Sequence, residues 1–320
     1  MGEASQWTDV VLDCEGGEEA CYYRVGRLSQ HCYHVVYITV KDLDVLMPDI
    51  WLRMARPYVL RHLKTYPKWE DHGWRTMEAR LRDGQVVVEL DREPVHFVDG
   101  NDLLPDMPRY DIFRLGNQVH LSPYMALRAS TGGQSVVLKI APYKYLLRHF
   151  VSRELFIYHA FISRRTAPMP KLLGYVYEEH PSRVIGFMIE DIRGVHPGSQ
   201  HRPQCEKALR ALHAQGLYHG DINNYNMIVT PSGEVIFIDF ENSTLATSEE
   251  EKQLMADALQ AEVEILANLP LKETAELRSP VYTVFSPTDD RASLSGSEVD
   301  ESPVPDPSMP VSAGLPTDSA

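Results

Sequence analysis

The apolar positions of this chain fall into short, mostly strand-sized runs separated by turn residues. Tyr33–Val40, YHVVYITV, is dense in β-branched and aromatic residues and predicts a strand. Ile50–Leu63 predicts a helix, and Val86–Leu90 a short strand after the Asp83-Gly84 turn. Further on, Ile112–Leu115 and Met125–Ala129 predict two strands. The STGGQ of Ser130–Gln134 is a tight turn leading into a third, Ser135–Ile140. A helix is expected over Lys144–Ser163, then the proline-marked MPKLLGY and the strand Val184–Glu190. Glu206–Gln215 predicts a short helix stopped by Gly216. Met227–Val229 and Val235–Ile238 form a small hairpin around Pro231-Ser232-Gly233. A long helix is predicted over Glu249–Leu269, with Leu254, Ala258, Leu259, Val263 and Leu266 as its apolar stripe. The order is an α+β one: a small antiparallel sheet, a helix, a connecting strand, then a mostly helical half.

Composition changes this picture at the ends. From Ser286 to Ala320 there are six prolines, seven acids, one arginine and no aromatic residue. Such a segment cannot offset its ordering entropy, so 286–320 is expected to be a disordered acidic tail. Residues 1–108 read as a folded α/β extension lying on the main domain, whose role the sequence does not name. His31 and His34 stand three apart, but no further ligand pattern nearby completes a metal site.

Charge narrows the partners. With 45 acids against 31 basic residues the net charge is −14, which disfavours nucleic acid or an anionic membrane as the main partner. The extension and the acidic tail remain surfaces for a protein partner. Cys14, Cys21, Cys32 and Cys205 show no paired spacing, and MGEASQWTDV lacks a signal-peptide pattern. The expected location is the cytoplasm or the nucleus.

Candidate chemistry lies where polar residues interrupt apolar runs. Lys139 sits late in VVLKI, a strand otherwise suited to burial, and needs a partner there; Glu154 of the next helix can supply it. Taken alone, an amphipathic strand end beside a surface glutamate explains both. Asp239 ends VIFIDF, where it serves equally as a turn cap or a functional acid. Asp221 and Asn226 lie between a helix and a strand, in LYHGDINNYNMIV, and the hairpin that follows turns Asp239 back towards Asn226. A carboxylate–amide pair suits magnesium, a hard ion. In that arrangement Lys139 holds nucleotide phosphates and Glu154 holds Lys139. Asn226 and Asp239 carry the metal, and Asp221 orients an acceptor hydroxyl and takes its proton.

This set, in this order from about Tyr110 to Leu269, resembles the protein-kinase-like superfamily. His-x-Asp, with Asn five residues after the Asp and Asp-Phe eighteen after it, is its most specific part. In motif style the chain is closest to aminoglycoside and choline kinases and related fungal kinase-like proteins, because Gly220 stands where protein kinases carry Arg. The resemblance implies a two-lobed fold: 109–192 as a small antiparallel N-lobe and hinge, 193–285 as a shortened helical C-lobe. It implies ATP and magnesium as cofactors, with Met188, Glu190, Asp191 and Ile192 in the segment that meets adenine. His219 corresponds to the structural histidine of the catalytic loop. Three departures weigh on activity. LGNQVHLSPYM has no G-x-G-x-x-G, leaving the phosphate grip to Ser122 and backbone N–H groups. Only Glu241–Ser248 separates IDF from the next helix, so no usual activation segment fits. The C-lobe ends early, and Asp257 is the candidate anchor of the catalytic-loop backbone. The reading is an ATP- and magnesium-dependent transfer of the γ-phosphoryl group to a hydroxyl, of a small molecule before a protein. Its alternative is a catalytically weak or inactive kinase-like binding protein.

Overall fold

A computed structural model describes residues 8–28, 33–50, 52–122, 125–163, 167–271 and 282–283. The expected tail, 286–320, and His31 lie outside them. The described residues belong to a compact unit bounded by Met1–Ser286.

A five-stranded sheet comes first, in the order β1 (Thr8–Gly16), β2 (Cys21–Leu28), β3 (Tyr33–Val40), β4 (Thr76–Arg82), β5 (Gln85–Leu90). Between β3 and β4 lie α1 (Leu43–Leu46) and α2 (Arg56–Leu63), and these two strands are parallel while the other neighbours run antiparallel. The helix expected from Ile50 begins only at Arg56, because Pro57 lacks an N–H and fits only a first turn. One sheet face, with Tyr23, Val36, Ile38 and Met77, buries against Val59, Leu63, Trp69 and Trp74.

A seven-stranded sheet follows. Along the chain come β6 (Arg109–Asp111), β7 (Gly116–His120), β8 (Ala126–Thr131) and β9 (Gln134–Ile140). Next is α3 (Lys144–Leu146), which runs through a π turn, Leu147–Val151, into α4 (Ser152–Phe161). Then come β10 (Leu172–Tyr177) and β11 (Val184–Glu190). The expected strand at Ile112–Leu115 is instead a 3-10 turn over Ile112–Arg114, because the Asp111 carboxylate accepts from the Phe113 N–H at 3.0 Å. The second sheet is antiparallel apart from the β6–β10 pair.

The remaining elements are α5 (Arg202–His213), β12 (Leu217–Tyr218), β13 (Met227–Val229), β14 (Val235–Phe237), β15 (Thr244–Leu245), α6 (Glu249–Leu254) and α7 (Ala256–Asn268). Last comes β16 (Tyr282–Thr283), which pairs with β7. The long helix predicted over Glu249–Leu269 is thus two, meeting at Met255; Leu254 is not part of a buried stripe but 85% exposed. Arg202 at the start of α5 donates to the carbonyls of Ala267 (2.8 Å) and Leu269 (2.7 Å), closing the end of α7. Mixed sheets with several helices make this an α+β fold. Among the described residues, no helix is long and apolar enough to cross a membrane.

The β10–β11 turn joins the two sheets. Glu178, fully buried, accepts from Arg24 Nε at 2.7 Å, from Tyr37 Oη at 2.5 Å and from Arg183 Nη2 at 2.9 Å. Burial opposes the Glu178 carboxylate, but Arg24 and Arg183 outweigh it and hold it below the usual range.

Candidate active site

Lys139 and Glu154 meet because β9 and α4 are packed together over a shared core of Ala141, Val151, Leu155 and Phe187. Lys139 Nζ lies 3.2 Å from Glu154 Oε2 and 2.5 Å from Asp239 Oδ1. Glu154 is 1% exposed, and its other oxygen accepts from the Phe240 N–H at 3.2 Å. Burial works against the Lys139 ammonium, yet Glu154 and Asp239 more than reverse it and hold the charge. A strand end beside a surface acid does not describe this pair.

The loop after α5 is stiffened by its own side chains. Gly216, at φ 81°, stops the helix. His219 is fully buried: its Nε2 donates to the Ile238 carbonyl at 3.0 Å and its Nδ1 accepts from the Asp221 N–H at 3.3 Å. Burial lowers its basicity, so it is a neutral strut. Asn223 Oδ1 accepts from the N–H groups of Tyr225 (2.8 Å) and Asn226 (3.1 Å), closing a 3-10 turn. Asn226 Nδ2 in turn donates to Asp221 Oδ2 at 2.9 Å and to the Asp221 carbonyl at 3.0 Å. Asp221 Oδ1 keeps no protein partner among the described residues.

Asp239 joins this loop through the hairpin, where the Ile238 N–H donates to the Asn226 carbonyl at 3.0 Å. Its backbone takes φ 70°, a left-handed conformation that Asp tolerates and that is common at functional sites. Phe240, fully buried, packs between Tyr158 of α4 (ring centroids 5.9 Å apart) and His219 (5.1 Å). Glu241 feels the whole cluster: burial, then Asp239, Glu154 and Asp221, push its carboxyl up to about 7 against the pull of Lys139. Residues 241–248 then return at once as β15, which pairs with β12.

Residues 185–268 match the RIO domain. RIO kinases are atypical ATP-using phosphotransferases of the protein-kinase-like superfamily, usually directed at proteins. The match takes in the catalytic-loop stretch, Asp239 and α7, while Lys139 and Glu154 lie before it. It supports the superfamily and not the narrower likeness to aminoglycoside and choline kinases. No curated protein matches the chain.

The RIO-like segment also holds a residue that the sequence reading missed. Glu262 of α7, 1% exposed, accepts from the Gly220 N–H at 2.7 Å and the His219 N–H at 3.2 Å, and contacts His213 Nε2 at 2.8 Å. The backbone anchor is therefore Glu262 and not Asp257, which is exposed. Its signal was an acid on the apolar stripe, between Leu259 and Leu266.

The expected nucleotide contacts have mixed fates. Met188 is fully buried in the sheet core, opposite Leu138. The Glu190 carboxylate holds Lys171 (3.0 Å), and that of Asp191 holds Arg128 (2.9 Å) and Ser135 (2.6 Å). In 190–192 the backbone, with the half-buried Ile192 side chain, is what remains for adenine. Ser122 Oγ accepts from the Ala126 N–H at 3.1 Å, and its own N–H goes to the Ala126 carbonyl at 3.3 Å, so both close its turn.

The donor set fits magnesium. Asn226 spends its NH2 group on Asp221, so its side-chain oxygen is the atom that would meet an ion, and Asp239 would add a carboxylate. Two protein oxygens suit an ion that keeps water and phosphate as its other ligands.

Proposed function

We propose that the chain is an ATP- and magnesium-dependent phosphotransferase that moves the γ-phosphoryl group to a hydroxyl. The observation behind this reading is the convergence of Lys139, Glu154, Asp221, Asn226 and Asp239 from four places in the chain: β9, α4, the loop between β12 and β13, and the end of β14. In it, 109–192 act as an N-lobe with hinge, 193–285 as a shortened C-lobe, and 1–108 as an extension on the N-lobe. Lys139, held by Glu154, takes the phosphates and gives up its bond to Asp239 when that carboxylate turns to the metal. Magnesium, when bound by Asn226 and Asp239, offsets charge on the β- and γ-phosphates. Asp221, oriented by Asn226, accepts the proton of the acceptor hydroxyl as the acceptor oxygen bonds to the γ-phosphorus; the bond from that phosphorus to the β–γ bridging oxygen breaks, and the oxygen leaves as part of ADP.

The short 241–248 return offers no platform for a peptide and favours a small acceptor, whereas the RIO likeness favours a protein hydroxyl. A transfer assay with γ-labelled ATP, run against both acceptor classes and on the protein itself, decides between them. A second reading, a catalytically weak or inactive kinase-like binding or regulatory protein, is favoured by the Ser122 turn, whose N–H and hydroxyl oxygen are already bonded. Mg-ATP at about a hundred times its Kd should stabilise the fold by about 2.7 kcal/mol. Asp239→Ala should remove most of the metal-dependent part. Asp221→Asn should leave binding intact and abolish transfer. Calorimetry showing no Mg-ATP binding by folded protein would refute the phosphotransferase and the nucleotide-sensing form of the second reading.

A further inference from the structure

Away from this site, a cavity of about 680 Å³ opens between the first sheet and the helix that leads to Glu154. Its volume lies within the range of small-molecule sites. One wall is the outer face of β2, β3 and β4, with Tyr22, Thr39 and Glu78; the other is the start of α3, with Tyr143 and Tyr145. The 92–97 segment, with Phe97, closes it from below. The rings gather here: Tyr22 lies 5.8 Å from Tyr143 and 5.7 Å from Tyr145, and Phe97 is 50% exposed. Tyr143 and Leu147 belong to the core beneath α4, and Tyr22 and Tyr145 pack against it, so the cavity opens at the edge of that core.

The charges around the opening cancel in pairs. Lys41 holds Glu78 at 2.9 Å, Arg92 holds Glu89 at 2.9 Å, and Lys144 holds Glu93 at 2.7 Å. His96 is buried at the back, its Nε2 donating to the Ala141 carbonyl at 2.6 Å, and burial keeps it neutral, near 4. Arg148 is left over: it lines the cavity, is exposed, and makes no ion pair among the described residues. Glu78 Oε1 is buried in the wall without a hydrogen-bond partner, an acceptor for a ligand donor.

We propose that this cavity binds a small molecule with a flat apolar body and a single anionic group, the body against the tyrosines and Phe97 and the anion on Arg148. Aromatic walls favour a planar apolar body, and a guanidinium favours an oxyanion through charge-assisted hydrogen bonds. Arg148 makes no ion pair among the described residues, and the cavity lining includes none of Lys139, Glu154, Asp221, Asn226 and Asp239, so the site is independent of the phosphotransfer reading.

The probe is 8-anilinonaphthalene-1-sulfonate, an aromatic body with one sulfonate, titrated by fluorescence into the full chain. Binding at one equivalent that saturating Mg-ATP does not displace is expected. Arg148→Gln, an exposed change that spares the fold, should weaken binding by about tenfold. Thr39→Phe, which fills the sheet wall, should abolish it while near-UV circular dichroism stays native. Binding that is unchanged in both variants, displaced by Mg-ATP, or absent altogether overturns the proposal.

Discussion

Gly220 shows how one residue settles a local structure. It takes φ 82°, and a Cβ there would lie 2.2 Å from the Asn242 carbonyl oxygen. Gly220→Ala should therefore cost about 2–3 kcal/mol, read by urea unfolding, from backbone strain and a displaced carbonyl. The sequence reading noticed Gly220 for what it replaced; the contact with Asn242 explains why a side chain is barred. Glu241 yields a pH signature. Its carboxyl is raised from 4.5 to about 7, so between these values the folded chain binds more protons than the unfolded one. Its contribution therefore declines as pH rises through that window. Glu241→Gln should flatten the fall of Tm from pH 4.5 to 7 in metal-free buffer; an unchanged slope would assign the titration elsewhere.

At the scale of elements, the site depends on two helices that the hydrophobic pattern located and did not fully resolve. Periodicity identified the helix after VVLKI but not its π turn, and the placing of Glu154 beside Lys139 goes with the packing of Tyr158, one turn on, against Phe187 and Phe240. For α7, the pattern found the stripe and overlooked the acid within it. Glu262 is tolerated there because the loop returns two backbone N–H groups to it, a pairing no local window contains. Glu262→Leu should remove about 2–4 kcal/mol and lower transfer more than nucleotide affinity, since it leaves those donors unpaired beneath Asp221. Arg202→Ala, which uncaps the end of α7, should cost about 1–2 kcal/mol by the same unfolding measurement.

For the molecule as a whole, Glu178 joins the first sheet to the second. Removing its charge leaves the buried Arg24 with Asp13 alone and Arg183 with Glu179 alone, so Glu178→Gln should destabilise by about 3 kcal/mol, largely independent of salt. Because the folded carboxyl lies below its ordinary value, this stability is present above about pH 4.5 and is lost as pH falls through the depressed value. The strand CYYRVGRL went unread for the same reason: its Arg24 looks solvent-facing until Glu178 of the partner sheet arrives. By itself the sequence determined the α+β class, the kinase-like order of Lys139, Glu154, Asp221, Asn226 and Asp239, and the helix stop at Gly216. Those rest on local periodicity, turn chemistry and spacing. Only the tertiary structure decided that Glu262 holds the loop, that Ser122 closes its own turn, that Glu178 ties the first sheet to the second, and that a cavity lies beside Arg148. Each of these depends on groups far apart in the chain, where burial and the nearest opposite charge decide what a side chain does.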